Sequence, residues 1–208
     1  MRPEPFVFMR HGQTAANACG LICGRLDVPL DATGRAQARA AQGLLGATRW
    51  SCVAVSSALR ARQTAQLALP EAALTPVHDL RERDWGELEG LPLAQQCDYL
   101  DTPPGGESWA DFVGRVQGAL DSLLAQFEQP LVIAHSGVWR AIHFALYGTP
   151  HGPRIGNTLP MLVAPVRAQA VPGQAADWQL LPYERVARAS RPGIPLELDA
   201  IDLSLIHI

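Results

Sequence analysis

The chain has 208 residues, 48% of them hydrophobic and 18% charged, which excludes a disordered polymer and leaves room for one ordinary domain or a domain with a tail. A formal net charge of −3 argues against nucleic acid or an anionic membrane as partner. All 17 Lys+Arg positions are arginine, so lysine Schiff-base chemistry and lysine-dependent phosphate loops are excluded and any anion is held by guanidinium forks.

Phe6 to Met9 is an unbroken apolar run that ends at Arg10-His11-Gly12, the form of a strand buried on both faces. The residues before it are too few for a secretory signal, and no apolar run approaches the ~20 residues of a membrane span, so a cytoplasmic protein is expected. Thr33 to Leu45 reads as a helix with Thr33 as N-cap, Val53 to Val55 as a second strand, and Arg60 to Leu69 as a second helix. Between Glu82 and Glu107 a Gly- and Pro-rich stretch is long enough to cover a site. Glu107 to Phe127 is the clearest helix, with Trp109, Phe112, Val113, Val116, Leu120 and Leu123 recurring at helical spacing. Leu131 to Ala134 is another buried strand, followed by His135-Ser136-Gly137 and a helix from Val138 to Tyr147. Met161 to Val166 and Trp178 to Leu181 read as late strands at an antiparallel edge. The alternation predicts an α/β fold: a single domain, residues 1–185, with a mostly parallel central sheet flanked by helices. Residues 186–208 read as a tail, either an edge element or non-native sequence.

Cys19, Cys23, Cys52 and Cys97 have no paired spacing and are read as reduced thiols. No histidine completes a tetrahedral set around Cys19 and Cys23, so no metal site is expected.

Two strands share one design: four apolar residues, then a histidine, then a glycine within two positions, at His11 and at His135. Ligands of open α/β sheets bind beyond the carboxyl ends of the strands, so both histidines fall on one edge where a single ligand could meet them. A lone histidine at such a place is usually an ordinary buried one; two at matching positions, one preceded by Arg10, point to a site. Arg60 opens a helix after the second strand and can reach the same edge, although Arg62 fits a solvated surface position at least as well. Two arginines and two histidines around one point suit a small dianion such as a phosphoryl group. Glu82, Asp84, Glu87 and Glu89 offer a candidate acid, since a carboxyl beside a phosphate is held protonated and can serve a leaving alkoxide.

Arg10-His11-Gly12-Gln13-Thr14 with Asn17 resembles the signature of the histidine phosphatase (phosphoglycerate mutase-like) superfamily, phosphatase branch. GRLDVPLDATGRAQA, RARQTA, LRERDWGELEG, PPGGES and AHSGVWRA resemble further motifs of that family in the same order, and the resemblance extends from Phe6 to about Asn157. It implies that His11 is a nucleophile that becomes phosphohistidine, that Arg10, Asn17, Arg60 and His135 hold the phosphoryl oxygens, and that Glu82 is the proton donor, making His11, Glu82 and His135 catalytic. It places Gln13, Thr14, Cys23 and Gly24 at the substrate. Gln13, Leu88 and Ser136 depart from the commoner Glu, Trp and Gly, and none of these changes removes a catalytic group. No cofactor is implied.

The family's mutases carry a longer insertion, with basic residues for a second phosphate, between the acid and the second histidine. Here that stretch holds only Arg83 and Arg115, and Arg115 reads as a solvated residue of the long helix, so a phosphatase for a small phosphorylated metabolite is expected. The DVPLDATG segment is similar to the alpha-ribazole phosphatase branch, one alternative; a phosphoglycerate mutase-type transferase is another. An idle phosphate-binding adaptor is disfavoured because Arg10, His11, Arg60, Glu82 and His135 are all present, and a metal-dependent hydrolase on His11 and His135 would fail in chelator. Trp85, Trp109 and Trp139 could wall an aromatic leaving group, though tryptophan is more often core. Leucine- and alanine-rich helices could form a homodimer face.

Overall fold

A computed structural model of the chain describes residues 1–166 and 177–189. Six strands form one sheet: β1 (Phe6–Arg10), β2 (Val53–Ser56), β3 (Leu74–Val77), β4 (Leu131–Ala134), β5 (Pro160–Pro165) and β6 (Trp178–Pro182), in the order β3-β2-β4-β1-β5-β6. The first four run parallel; β5 is antiparallel to β1 and β6 to β5, the edge expected from the late apolar runs. β1, β2 and β4 are buried on both faces, as the unbroken apolar runs require. No helix among the described residues is long and apolar enough to cross a membrane.

β3 has no signal in the apolar pattern. It carries Pro76, which pairs with Val55, and its exposed middle residues suit only the sheet margin it occupies, where a missing N–H costs no ladder bond.

The helices are α1 (Ala15–Ala18), α2 (Ala32–Ala40), α3 (Gln42–Leu45), α4 (Leu59–Ala68), α5 (Trp109–Leu124), α6 (Ser136–Tyr147) and α7 (Tyr183–Ala189). The segment read as one helix from Thr33 is two, and Asp31 rather than Thr33 is the cap: its carboxylate accepts from Gly34 N at 2.7 Å. Asp at an N-cap satisfies an orphan N–H and complements the helix dipole, which leaves Thr33 inside the first turn. Ser108 caps α5 in the same way.

One core lies between the sheet and α5 and α6, built on Phe6, Phe8, Phe112, Leu120, Val132 and Ile142. The other lies on the opposite face, built on Val7, Met9, Leu45, Val55, Ala61, Ile133 and Tyr183. Val186 of α7 is buried in the second core, so the boundary expected near residue 186 falls within a packed helix; residues 190–208 lie outside the described residues. Arg115 corrects an expectation. It is not a solvated face residue: its guanidinium forks Glu107 at 2.6 and 2.8 Å and donates to the carbonyls of Asp79, Arg81 and Glu82. A carboxylate and three turn carbonyls brought within reach by the chain after β3 outcompete water for it.

Candidate active site

Strand register builds the centre. β1 and β4 pair with Arg10 opposite Ala134, so the residues that follow, His11 and His135, emerge side by side at the carboxyl edge. The ring centroids are 5.1 Å apart at an interplanar angle of 62°. His11 N donates to Ala134 O at 3.0 Å and Asn157 Nδ2 donates to His11 O at 2.8 Å, which fixes the backbone under the first imidazole.

The hydrogen bonds of His11 specify its tautomer. Nδ1 lies 2.7 Å from Gly12 O, a contact that requires a proton on Nδ1. Arg60 Nε donates to Nε2 at 3.2 Å, so Nε2 carries the lone pair. Arg60 is 2% exposed and held from behind by Leu26 O and Gly24 O, each at 2.9 Å. Arg62, two residues further along α4, is exposed, so burial separates the two arginines that sequence left open. The loop carrying those carbonyls is in turn tied down by Glu89, which accepts from Arg25 N at 2.6 Å and Leu26 N at 2.8 Å.

His135 is fully buried and stands as the N-cap residue of α6. Its Nε2 lies 2.7 Å from Ser56 Oγ, and its Nδ1 has no partner among the described residues. Ser56 ends β2, and its Oγ also accepts from Ala58 N at 3.4 Å; its hydroxyl can pair with His135 Nε2 as donor or as acceptor. Ser56 carried no signal in the sequence beyond its position at a strand end.

Glu82 is the carboxylate of the four that reaches the centre. Its Oε2 accepts from Gly137 N at 2.8 Å and its Oε1 from Arg83 N at 2.9 Å. A side chain at Gly137 would overlap the Glu82 carboxylate, so only glycine permits this approach. Asp84, Glu87 and Glu89 serve the loop instead: Asp84 caps Gly86 N, Glu89 holds the 25–26 amides and Glu87 is exposed. Arg83 is fully buried between the rings of Trp85 and Trp109, at 4.9 and 5.6 Å, and donates to three carbonyls from the loop that follows. The Glu82–Glu107 stretch thereby wraps over the edge of the sheet, as its Gly and Pro content anticipates.

These groups surround a cleft of about 630 Å³ whose walls include Arg10, His11, Asn17, Glu82, Trp85 and Arg154. Gln13 and Cys23 also line it, with Gln13 Nε2 bound to Asp31 at 3.0 Å. Asn17 and Thr14 form a reciprocal capping box on α1, Asn17 Oδ1 accepting from Thr14 N at 3.3 Å, so the Asn17 amide nitrogen is the group left for a ligand. Thr14 is buried beneath it, and Gly24 acts through its carbonyl on Arg60; neither lines the cleft. Trp85 lines the cleft, whereas Trp109 and Trp139 belong to the core. Arg140, His151 and Arg154 also line it; all three follow the second histidine, and of them only Arg140 lies in a motif segment that pointed to the site.

Burial holds both imidazoles well below the ordinary histidine pKa of 6.5. Arg60 and Arg10 push His11 down further, and Arg60 and His11 do the same to His135. Both are therefore neutral in the fold, while the unfolded chain protonates them near the ordinary value. The unfolded state then binds the extra protons, so stability declines as pH falls below about 6.5, by up to about 1.4 kcal/mol per pH unit for each histidine. Urea midpoints at about pH 7.5 and 5.5 test this: the lower pH is expected to give the lower midpoint, with a smaller drop in His135→Gln. Equal drops in both proteins would show that His135 is not held neutral.

The histidine phosphatase superfamily (branch 1) model matches residues 6–157. A glucosyl-3-phosphoglycerate phosphatase of Mycolicibacterium vanbaalenii is 33% identical, over 86% of this chain and 94% of that protein. A 2,3-bisphosphoglycerate-dependent phosphoglycerate mutase of Azorhizobium caulinodans is 38% identical, over 67% of this chain and 80% of that protein. Among solved structures, a mycobacterial glucosyl-3-phosphoglycerate phosphatase in complex with VO3 superposes with a TM-score of 0.72 at 27% identity, covering 85% of this chain and 96% of that one.

Proposed function

Because the chain belongs to the histidine phosphatase superfamily (branch 1), we propose that it is a metal-independent phosphomonoesterase that works through a phosphohistidine on a small phosphorylated metabolite. The observation that carries this reading is the state of His11: a neutral ring whose Nδ1–H is spent on Gly12 O and whose Nε2 lone pair is presented beside Arg60 and Arg10. Nε2 attacks phosphorus, the bond to the leaving oxygen breaks, and protonated Glu82 gives that oxygen its proton. The Glu82 carboxylate then takes a proton from water as water attacks the phosphohistidine, which releases phosphate and restores neutral His11. Arg10, Arg60, the Asn17 amide and His135 stabilise the equatorial oxygens of the transferring group.

Hydrolysis is favoured over return of the phosphoryl group to a second hydroxyl. The only basic side chains between Glu82 and His135 are Arg83 and Arg115, and both are committed to backbone carbonyls or Glu107 away from the cleft. Release of p-nitrophenol from p-nitrophenyl phosphate is expected to persist undiminished in EDTA. Loss of activity in EDTA, restored by a divalent cation, would instead favour a metal-dependent hydrolase.

A further inference from the structure

The cations of the cleft are not matched by its acids. Arg154 is exposed, lines the same cleft as His11 and Glu82, and has no hydrogen-bond or ion-pair partner among the described residues. The acids that line the cleft are already engaged: Glu82 by two amides, and Asp98 by His151 at 3.4 Å. Arg10 donates only to a carbonyl, and Arg140 is held by the Pro150 and Gly152 carbonyls with its Nε unpartnered. Arg154 lies close enough to Arg10 that the two guanidinium charges oppose each other.

The loop that presents Arg154 is built rather than loose. Trp139 Nε1 donates to Pro153 O at 3.1 Å and Arg10 donates to Ile155 O at 3.3 Å, so the residues on both sides of Arg154 are pinned by the site itself. Asn157 continues the loop into the hydrogen bond with His11 O. An unpaired guanidinium carried on a pinned backbone beside a phosphate cleft, with a like-charged neighbour, retains an attraction for anions after the phosphoryl group is bound.

We propose that Arg154 is a specificity residue forming a second anion subsite, and that the preferred substrates are phosphomonoesters whose leaving group carries a carboxylate. This rests on the phosphomonoesterase reading above and narrows it. A single guanidinium fork matches the two oxygens of a carboxylate, whereas a second phosphoryl dianion calls for several free cations; His151 faces Asp98 and Arg140 is held by carbonyls, which leaves Arg154 by itself.

Matched ester pairs test it. 3-Phosphoglycerate and glycerol 3-phosphate differ by a carboxylate in place of a hydroxymethyl group, and phosphoserine and phosphoethanolamine differ by a carboxylate. The wild-type protein is expected to favour the carboxylate member of at least one pair by about tenfold in kcat/KM, and Arg154→Ala to reduce that ratio to within about twofold of unity. A ratio near one in the wild type for both pairs, or a preference that survives Arg154→Ala, overturns the subsite. Calorimetric binding of the same pairs to His11→Ala reads the preference without turnover. No hydrolysis of any ester together with a retained, Arg154-dependent binding ratio would refute the phosphatase reading and leave the subsite standing.

Discussion

Replacing His11 by alanine is expected to lower kcat by at least about 10⁴-fold, because the proposed route loses the group that would bond to phosphorus. Inorganic phosphate should still bind to the variant, though more weakly. Arg10, Arg60 and the Asn17 amide are all retained, and Arg60 keeps its two carbonyl anchors at Gly24 and Leu26 when its contact to Nε2 is gone. The measurement is turnover alongside a rapid alkaline quench, in which wild-type protein carries acid-labile phosphate after mixing with substrate and His11→Ala carries none. Undiminished turnover in a clean preparation of the variant would rule out the phosphohistidine route.

Glu82→Gln is expected to cost about 10²–10⁴-fold in kcat, and the cost should depend on the leaving group. The amide oxygen can still accept from Gly137 N, while the bond from Arg83 N and the transferable proton are lost. An alkyl phosphate, whose alkoxide cannot leave unprotonated, should lose the full factor. p-Nitrophenyl phosphate, whose phenolate leaves unaided, should lose far less in the first step, and a burst of nitrophenol followed by slow release of phosphate should appear as the water-activation step becomes limiting. Equal losses for both esters without a burst would mean that Glu82 holds structure and moves no proton.

Much of this site lies in local pattern. The two apolar runs that end in histidine are strands buried on both faces, and a parallel sheet delivers such endings to one edge whatever the rest of the chain does. Arg10 and His11, and His135, thus declare themselves by position on a strand. The 3.6-residue recurrence along α5 likewise reports its buried stripe directly, and Ser108 caps it within the local chain. Where pattern stops, the family resemblance is what points to His11 as the nucleophile and Glu82 as the proton donor of the proposed reaction.

Long-range approach decided the rest. Glu82 is selected from four neighbouring carboxylates by an amide 55 positions away, available only because Gly137 has no side chain. Arg60 and Arg62 differ by burial under the 24–26 loop, which Glu89 holds from another part of the chain. Arg115 looks like a solvent residue on the helical wheel and becomes a structural cation because three carbonyls converge on it. β3 is a strand because the sheet margin accepts Pro76, not because its composition asks for one. Composition, periodicity and strand endings determined the fold class, the absence of lysine chemistry and the histidine pair. Tertiary structure alone supplied the amide contacts that seat Glu82, the Ser56 contact to His135, and the pinned loop that brings Arg154 to the cleft. Those choices depend on hydrogen bonds between residues far apart in the chain, and such contacts leave no period in the sequence.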